Sequence, residues 1–258
     1  MDEKQLGGGQ MTLEEFFAEY DHVAVAFSGG VDSAFLLSAA LRYGACTKAY
    51  YVKTAFQPQF ELEDARKLAD QLGAELEILE VDILCHGSVV SNPADRCYHC
   101  KKVIMEAIRQ KAAQDGYEIL LDGTNASDQA GDRPGMRALA EKSVLSPLRQ
   151  CGLTKEEIRR LSREAGLFTW EKPAYACLAT RIPTGEAITK EKLHRTEEAE
   201  SLLSALGFVD FRVRSKEDAA KVQLTQRDLP RLLEHRAEIL ERLKQYYKEV
   251  TLDLEVRS

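Results

Sequence analysis

"HVAVAFSGGVDSAFLLSAALRYG", residues 22–44, is the stretch whose reading decides the fold. Residues 22–27 form a nearly unbroken apolar run of strand length, and residues 33–44 carry the apolar content of a helix that stops at a glycine. Between them lies "SGGVDS" (28–33). A strand that turns through glycines straight into a helix is the junction at which an open α/β sheet presents ligands, outside the carboxyl end of the strand. Gly29 and Gly30 let the backbone approach an anion closely, successive N–H groups form an anion cradle, and Ser28 and Ser33 add hydroxyl donors. Asp32 would repel a phosphate unless a Mg²⁺ ion stood between them, so the loop suggests metal-bridged pyrophosphate. A tight strand–helix turn capped by Ser and Asp is the competing explanation; strand, loop and helix in register favour phosphate. The loop lacks the G-x-x-x-x-G-K of a Walker sequence.

Outward from this junction the pattern repeats. Strands are predicted at 48–54, 75–83 and 117–123, helices at 61–73 and about 98–114, and Thr154-x-x-Glu157 opens a further helix as a capping box. The alternation predicts an α/β fold over residues 1–185: a parallel twisted sheet with helices on both faces. After Gly185 the strands shorten. A charged helix (about 189–205), "FRVR" (211–214), "KVQL" (221–224), a helix (about 226–246) and "EVTLDL" (249–254) predict a small C-terminal α+β domain over 186–258.

The 258 residues are 44% hydrophobic and 30% charged with a net charge of -7, an ordinary globular balance that argues against broad electrostatic binding of nucleic acid. No run approaches the roughly 18 apolar residues of a membrane span. The polar, Gly-rich first ten residues do not resemble a signal peptide. The expected location is the cytoplasm, where close cysteines point to metal binding or catalysis before disulfides. Of the six cysteines, Cys46 reads as buried filler and Cys85 and Cys151 as structural. Cys97 and Cys100 in "CYHCKK" (97–102) lie one helical turn apart. No second C-x-x-C completes a zinc site, and His99 is badly placed to share their metal. A redox pair, or two half-buried helix-start cysteines, stays open. Cys177 sits between Lys172 and Arg181, whose charges would favour the thiolate that nucleophilic attack or metal ligation needs. Arg133 and Arg181 could clamp phosphate or carboxylate groups. Asp128 and Asp132 flank a Gly-rich loop as ribose or metal contacts, or as solvated turn carboxylates. Arg212 and Arg214, two apart on a strand, share one face.

SGGVDS matches the pyrophosphate loop of the PP-loop ATP pyrophosphatase superfamily, which includes GMP synthetase, asparagine synthetase and tRNA-thiolating enzymes. Together with "RCYHCKK" (96–102), "DGTNASDQAGDRPG" (122–135), "SPL" (146–148) and "WEKPAYACLATRIPTG" (170–185), it resembles the LarE family of sulfur transferases over about residues 12–255. The resemblance implies cleavage of ATP between its α and β phosphates, with Mg²⁺, the pyrophosphate leaving on residues 28–33 and Asp32 and Arg181 taking part in catalysis. It implies adenylation of a carboxylate of a pyridinium mononucleotide, a nickel-pincer cofactor precursor, followed by replacement of AMP by sulfur. It further implies either that Cys177 gives up its own sulfur and becomes dehydroalanine, or that Cys97, Cys100 and Cys177 hold a [4Fe-4S] cluster that delivers sulfide. The Cys97–Cys100 pair favours the cluster, since three thiolates leave one iron free. Arg212 and Arg214 would meet the substrate phosphate. The expected partner is a small-molecule nucleotide, without nucleic acid or membrane, in a homo-oligomer. Lys216 and Gln223 stand where the family pattern has His and Glu, which leaves a related substrate open. An amide-forming or tRNA-modifying pyrophosphatase and a non-catalytic nucleotide binder are the competing classes.

Overall fold

The computed structural model describes residues 11–128, 143–173 and 175–257. Strands β1 (His22–Ala26), β2 (Cys46–Lys53), β3 (Glu75–Glu80) and β4 (Ile119–Leu121) form one sheet in the order β3-β2-β1-β4. β1 pairs in parallel with both neighbours, Val23 opposite Thr47 of β2 and Ile119 of β4. The strand alternation sorts side chains onto two faces. Val23, Val25, Ala49, Tyr51 and Leu121 point into one core, where α1 (Leu13–Glu19), α2 (Val31–Arg42) and α3 (Gln59–Leu72) pack through Phe16, Leu37 and Leu68. Ala24, Ala26, Tyr50, Val52 and Leu120 point into the other, against Met105, Ile108 and Ala112. A sheet covered on both sides buries both faces of its strands, so β1 reads as an apolar run instead of an alternation.

After the short α4 (Gly87–Val90), α5 (Arg96–Gln114) carries the residues of that second core. The α6 turn (Pro147–Gln150) and α7 (Lys155–Glu164) follow β4. The Thr154–Glu157 capping box opens α7 as predicted, Thr154 Oγ1 accepting from the Glu157 N–H and the Glu157 carboxylate from the Thr154 N–H. β4 is shorter than predicted. Tyr117 donates its N–H to Ala112 in the turn before it, and Asp122 leaves the strand to bond Leu145. At the amino end of the sheet Lys48 is buried, paired with Asp115 at 2.8 Å and Glu75 at 2.9 Å. Tyr50 Oη also donates to Asp115 at 2.9 Å.

A second sheet has the order β5-β6-β7, from β5 (Phe211–Lys216), β6 (Ala219–Leu224) and β7 (Glu249–Leu252). β5 and β6 are antiparallel, β6 and β7 parallel. Their apolar side chains share a core with Leu203 of α8 (Lys190–Ala205) and with Ile239 and Leu243. The single helix predicted over 226–246 is two: α9 (Leu229–Glu234) and α10 (Arg236–Leu243), separated at His235 (φ −93°, ψ 8°). The break divides a half with no fully buried side chain from a half whose Ile239 and Leu243 enter the core.

The chain forms two compact units. The first comprises residues 1–52, 60–81 and 101–172, and the second 53–59, 82–100 and 173–258, so the second includes segments well before residue 186. Among the described residues no helix is long and apolar enough to cross a membrane.

Candidate functional site

In the first unit the strand order reverses beside β1, so the chain leaves β1 and β4 toward opposite sides and opens a crevice at their carboxyl ends. Gly29 turns there with φ 73°, a left-handed conformation that favours glycine. Gly30 caps α2 without a side-chain hydrogen bond, so the first N–H groups of this helix have no capping side chain. Ser28 Oγ and Ser33 Oγ lie 3.1 Å apart, and Ser33 Oγ donates to the Gly30 carbonyl at 3.2 Å. Gly123, just after β4, lies so close that a Cβ would stand 2.8 Å from the Ser33 nitrogen. The absence of a side chain there lets two loops meet around a cavity of about 250 Å³, lined by Ser28, Gly30, Asp32, Ser33, Lys101 and Asp122 among others.

The carboxylates in this cavity are each engaged. Asp32 pairs with Lys155 Nζ at 2.5 Å and accepts from Asn125 Nδ2 at 3.3 Å. Lys155 is the first residue of α7, and its backbone N–H donates to Ser127 Oγ at 2.9 Å, which fixes its position beside the loop. Asp122 accepts from Thr124 Oγ1 and Ser146 Oγ, both at 2.6 Å, with Lys101 Nζ at 3.8 Å. The DGTN and SPL stretches thus converge on Asp122. Two lysines and an uncapped helix start can receive a polyanion, and the Asp32 and Asp122 oxygens are the hard donors that Mg²⁺ prefers. Asp128 closes the loop, accepting from the Asn125 N–H at 3.1 Å, and its carbonyl accepts from Arg149. Asp132 and Arg133 lie outside the described residues.

The second unit holds Cys97, Cys100 and Cys177. Cys97 is exposed; Cys100 and Cys177 are partly buried. Burial, then the neighbouring Cys177 and Cys97, push the Cys100 thiol up to about 12, with Arg96 opposing. Cys177 is also raised, by burial first and by Cys97, again against Arg96. The three thiols are therefore within electrostatic reach of one another. The expected depression of Cys177 by Lys172 and Arg181 is not found: Arg96 opposes the rise and Arg181 also interacts with the thiol, but burial outweighs the cations. Among the described residues no group of three or more His, Cys, Asp and Glu side chains is arranged to hold a metal ion. An iron–sulfur cluster ligates its thiolates on different irons, so its ligands stand farther apart than those of one ion, and a set of three soft thiol donors fits it chemically. Cys46, read as buried filler, is instead exposed at the start of β2, 3.8 Å from Tyr117 Oη. Cys85 is exposed and donates to Asp82 at 2.9 Å, and Cys151 packs beside the first core.

Arg181 is almost fully buried and bonds Glu200 twice, at 2.7 and 3.0 Å. Its remaining terminal nitrogen donates to the Ala176 carbonyl at 2.9 Å and Thr180 Oγ1 at 2.8 Å, so Arg181 holds the loop around Cys177. Glu200 also accepts from Tyr175 Oη at 2.6 Å and the Val213 N–H at 2.9 Å. Arg212 and Arg214 do share one face of β5, half-buried between buried Phe211, Val213 and Ser215. Arg214 donates to the Thr180 carbonyl at 2.6 Å and to Gln223 Oε1 at 2.8 Å, and Gln223 passes a bond on to Asp253 at 2.7 Å. Burial lowers the pKa of both arginines, and Arg181 and Arg257 lower them further. Such crowding of positive charge is the kind that an anion would relieve. Lys216 ends β5 in an exposed position.

Lys155, Lys101, Arg96 and Glu200 were not anticipated. The capping box located the start of α7 but carries no signal of what its first residue faces. Lys101 stands in the quoted CYHCKK, yet only three-dimensional placement puts it in the cavity. Glu200 is one carboxylate among many on a charged helix.

No family model matches the chain. It is 35% identical over 249 residues to an uncharacterised protein of Synechocystis, covering 94% of this chain and 92% of that protein. It is 30% identical over 246 residues to the pyridinium-3,5-bisthiocarboxylic acid mononucleotide synthase of Lactiplantibacillus plantarum, covering 94% and 89% of the two chains. A shorter match, 27% identical over 196 residues, is to a tRNA-specific 2-thiouridylase of Thermotoga petrophila, covering 58% of this chain and 54% of that enzyme.

Proposed function

The chain belongs to the LarE family of PP-loop ATP pyrophosphatases, and from that premise we propose that it is an ATP-dependent sulfurtransferase whose acceptor is a pyridinium carboxylate mononucleotide. The observation that carries the reaction type is the cavity at the carboxyl ends of β1 and β4, floored by residues 28–33. ATP binds there with its β and γ phosphates on the Ser28–Ser33 loop and the start of α2. Asp32 and Asp122 would hold Mg²⁺, which neutralises charge on the departing pyrophosphate. Ser28, Ser33, Lys101 and Lys155 stabilise that leaving group while a substrate carboxylate oxygen attacks the α-phosphorus in line and the bond to the bridging oxygen breaks. The products of this half-reaction are an acyl-adenylate and pyrophosphate. Arg212 and Arg214, half-buried on one face of β5 with Arg181 and Arg257 near them, suit the phosphate of the mononucleotide. Arg181 positions the Cys177 loop through Ala176 and Thr180. Arg133 is assigned to phosphate binding from the sequence alone.

For the sulfur step, the mutual reach of Cys97, Cys100 and Cys177 supports a [4Fe-4S] cluster on the three thiolates. When bound, such a cluster supplies a sulfide ligand on its open iron. The alternative is that the Cys177 thiolate attacks the acyl-adenylate, expels AMP, and then loses its Cα proton and its C–S bond to leave thiocarboxylate and dehydroalanine. Anaerobic protein given ATP, Mg²⁺ and pyridinium-3,5-biscarboxylic acid mononucleotide should release pyrophosphate and yield product heavier by one oxygen-to-sulfur exchange. No pyrophosphate with this acceptor would overturn the proposed substrate. Dehydroalanine at Cys177 in colourless protein would establish the sacrificial route and remove the cluster.

A further inference from the structure

The segment before α5 and the Cys177 loop are joined by a pair of side chains that none of the assigned steps uses. Asn92 is fully buried, with a left-handed φ of 54°. Its amide donates to the carbonyls of Pro183 at 2.7 Å, Glu186 at 3.2 Å and Ile182 at 3.3 Å, and its own carbonyl accepts from the Gly185 N–H at 2.8 Å. Its side-chain oxygen accepts from Arg96 Nη1 at 2.5 Å. The same Nη1 donates to the Ala179 carbonyl at 3.0 Å, two residues beyond Cys177. Nη2 of Arg96 lies 3.8 Å from Cys97 Sγ, within reach of an N–H to sulfur hydrogen bond. Arg96 is only 8% exposed, so its contacts are not those of a solvated surface side chain.

We propose that Arg96 is a positioning residue of the sulfur site: it fixes the Cys97–Cys100 turn against the loop that carries Cys177 and presents a charged N–H to the sulfur of Cys97. The proposal rests on the reading that these three thiols act together. Only a planar guanidinium can meet a carbonyl, a side-chain amide and a sulfur from one fixed fork; an ammonium group on a flexible stem cannot hold all three. The remainder of the loop is already tied, Leu178 N–H to the Phe56 carbonyl at 2.9 Å and Thr180 Oγ1 to the Cys177 carbonyl at 2.8 Å. Arg96 therefore registers one pre-formed piece against the other, as a supporting shell does for a reactive group.

The test uses reduced, metal-free, full-length protein and dibromobimane, a reagent that fluoresces on bridging two neighbouring thiols. Peptide mass should show Cys177 bridged to Cys97 or Cys100. Arg96→Met should slow the bridging by about tenfold, the scale of one lost charge-assisted hydrogen bond. Arg96→Lys, which keeps the charge but not the fork, should fall between. Circular dichroism controls for folding, and should Arg96→Met fail to fold, Arg96→Lys alone decides. A second readout separates positioning from mere stability. In protein loaded with iron and sulfide, Arg96→Met should lower the reduction potential, because a cationic N–H donor to a ligand sulfur favours the reduced state, and Arg96→Lys should recover part of the shift. Unchanged bridging rates and an unchanged potential in the variants would overturn the role of Arg96 alone. Absence of any bridge to Cys177 in the wild type would overturn the three-thiol reading and this proposal with it, while leaving ATP cleavage to its own assay.

Discussion

A hydrogen atom decides the geometry of the nucleotide cavity at Gly123. Any side chain there brings a Cβ to 2.8 Å from the Ser33 nitrogen and 3.2 Å from the Asp32 Cβ, which are parts of the loop itself and not the far end of a flexible chain. Gly123→Ala should therefore push the two loops apart, costing about 1–3 kcal/mol by overpacking. Urea unfolding measures the first effect; a raised KM for ATP in pyrophosphate release measures the displacement of the phosphate donors. At this scale the sequence was legible where residues lie together in the chain. Ser28, Gly29, Gly30, Asp32 and Ser33 occupy one loop, so their shared place at the strand–helix junction could be read from their order. The partner of Asp32 is Lys155, 123 residues later, and no local pattern announces it. The Ala179 carbonyl that Arg96 meets is likewise 83 residues away, beyond any local pattern. The Cys177 environment departs from the sequence expectation because burial, which no local pattern reports, outweighs the cations around the thiol. Arg181 spends its donors on Glu200 and the loop backbone.

At the scale of elements, α7 matters beyond its own stability because its capping box places Lys155. Thr154→Ala should cost about 1 kcal/mol in unfolding free energy, and it should weaken pyrophosphate binding as the first turn of α7 frays, measured by calorimetry with the ligand in excess. The Lys48–Asp115–Tyr50 cluster ties β2 to the end of α5. Lys111 and Lys48 hold the Asp115 carboxyl well below the usual carboxylate range. Its folded pKa is depressed, so its contribution is complete above the unfolded value near about 4 and is lost as pH falls through the folded one. Urea midpoints should accordingly show wild type and Asp115→Asn well separated at neutral pH and converging as the solution is acidified below about pH 4. A gap that stays constant with pH would show that the carboxylate is not the source. The identity of β1, β2 and α2 followed from the length of their apolar runs and the glycines that bound them. The break between α9 and α10 did not, since one continuous apolar pattern over 226–246 is compatible with a straight or a broken helix.

For the molecule as a whole, each unit has its own packing: a core on either face of the first sheet and a third core in the second unit. Leu243 is fully buried in the core of the second unit, and Leu243→Ala should destabilise the protein by about 2–5 kcal/mol. Hydrogen exchange should rise across α8 and β5–β7, whereas equal acceleration in β1 and α2 would mean that the two units unfold as one. The alternating pattern gave away a parallel sheet with helices on both faces because periodicity reports that a residue faces a core. It does not report which core, and so residues 53–59 and 82–100 could not be assigned to the second unit by inspection. That interleaving has a consequence for the order in which the protein is made. The chain passes between the units repeatedly, and the ribosome delivers Cys97 and Cys100 long before Cys177. Eighty residues separate Cys97 from Cys177, a gap of roughly 4–16 s at typical synthesis rates of about 5–20 residues per second. β7, at Glu249–Leu252, completes the second sheet later still. Throughout that interval the early pair of thiols has neither Cys177 nor the finished second sheet beside it, so any chemistry that needs all three thiols together can begin only after the Cys177 segment has been made.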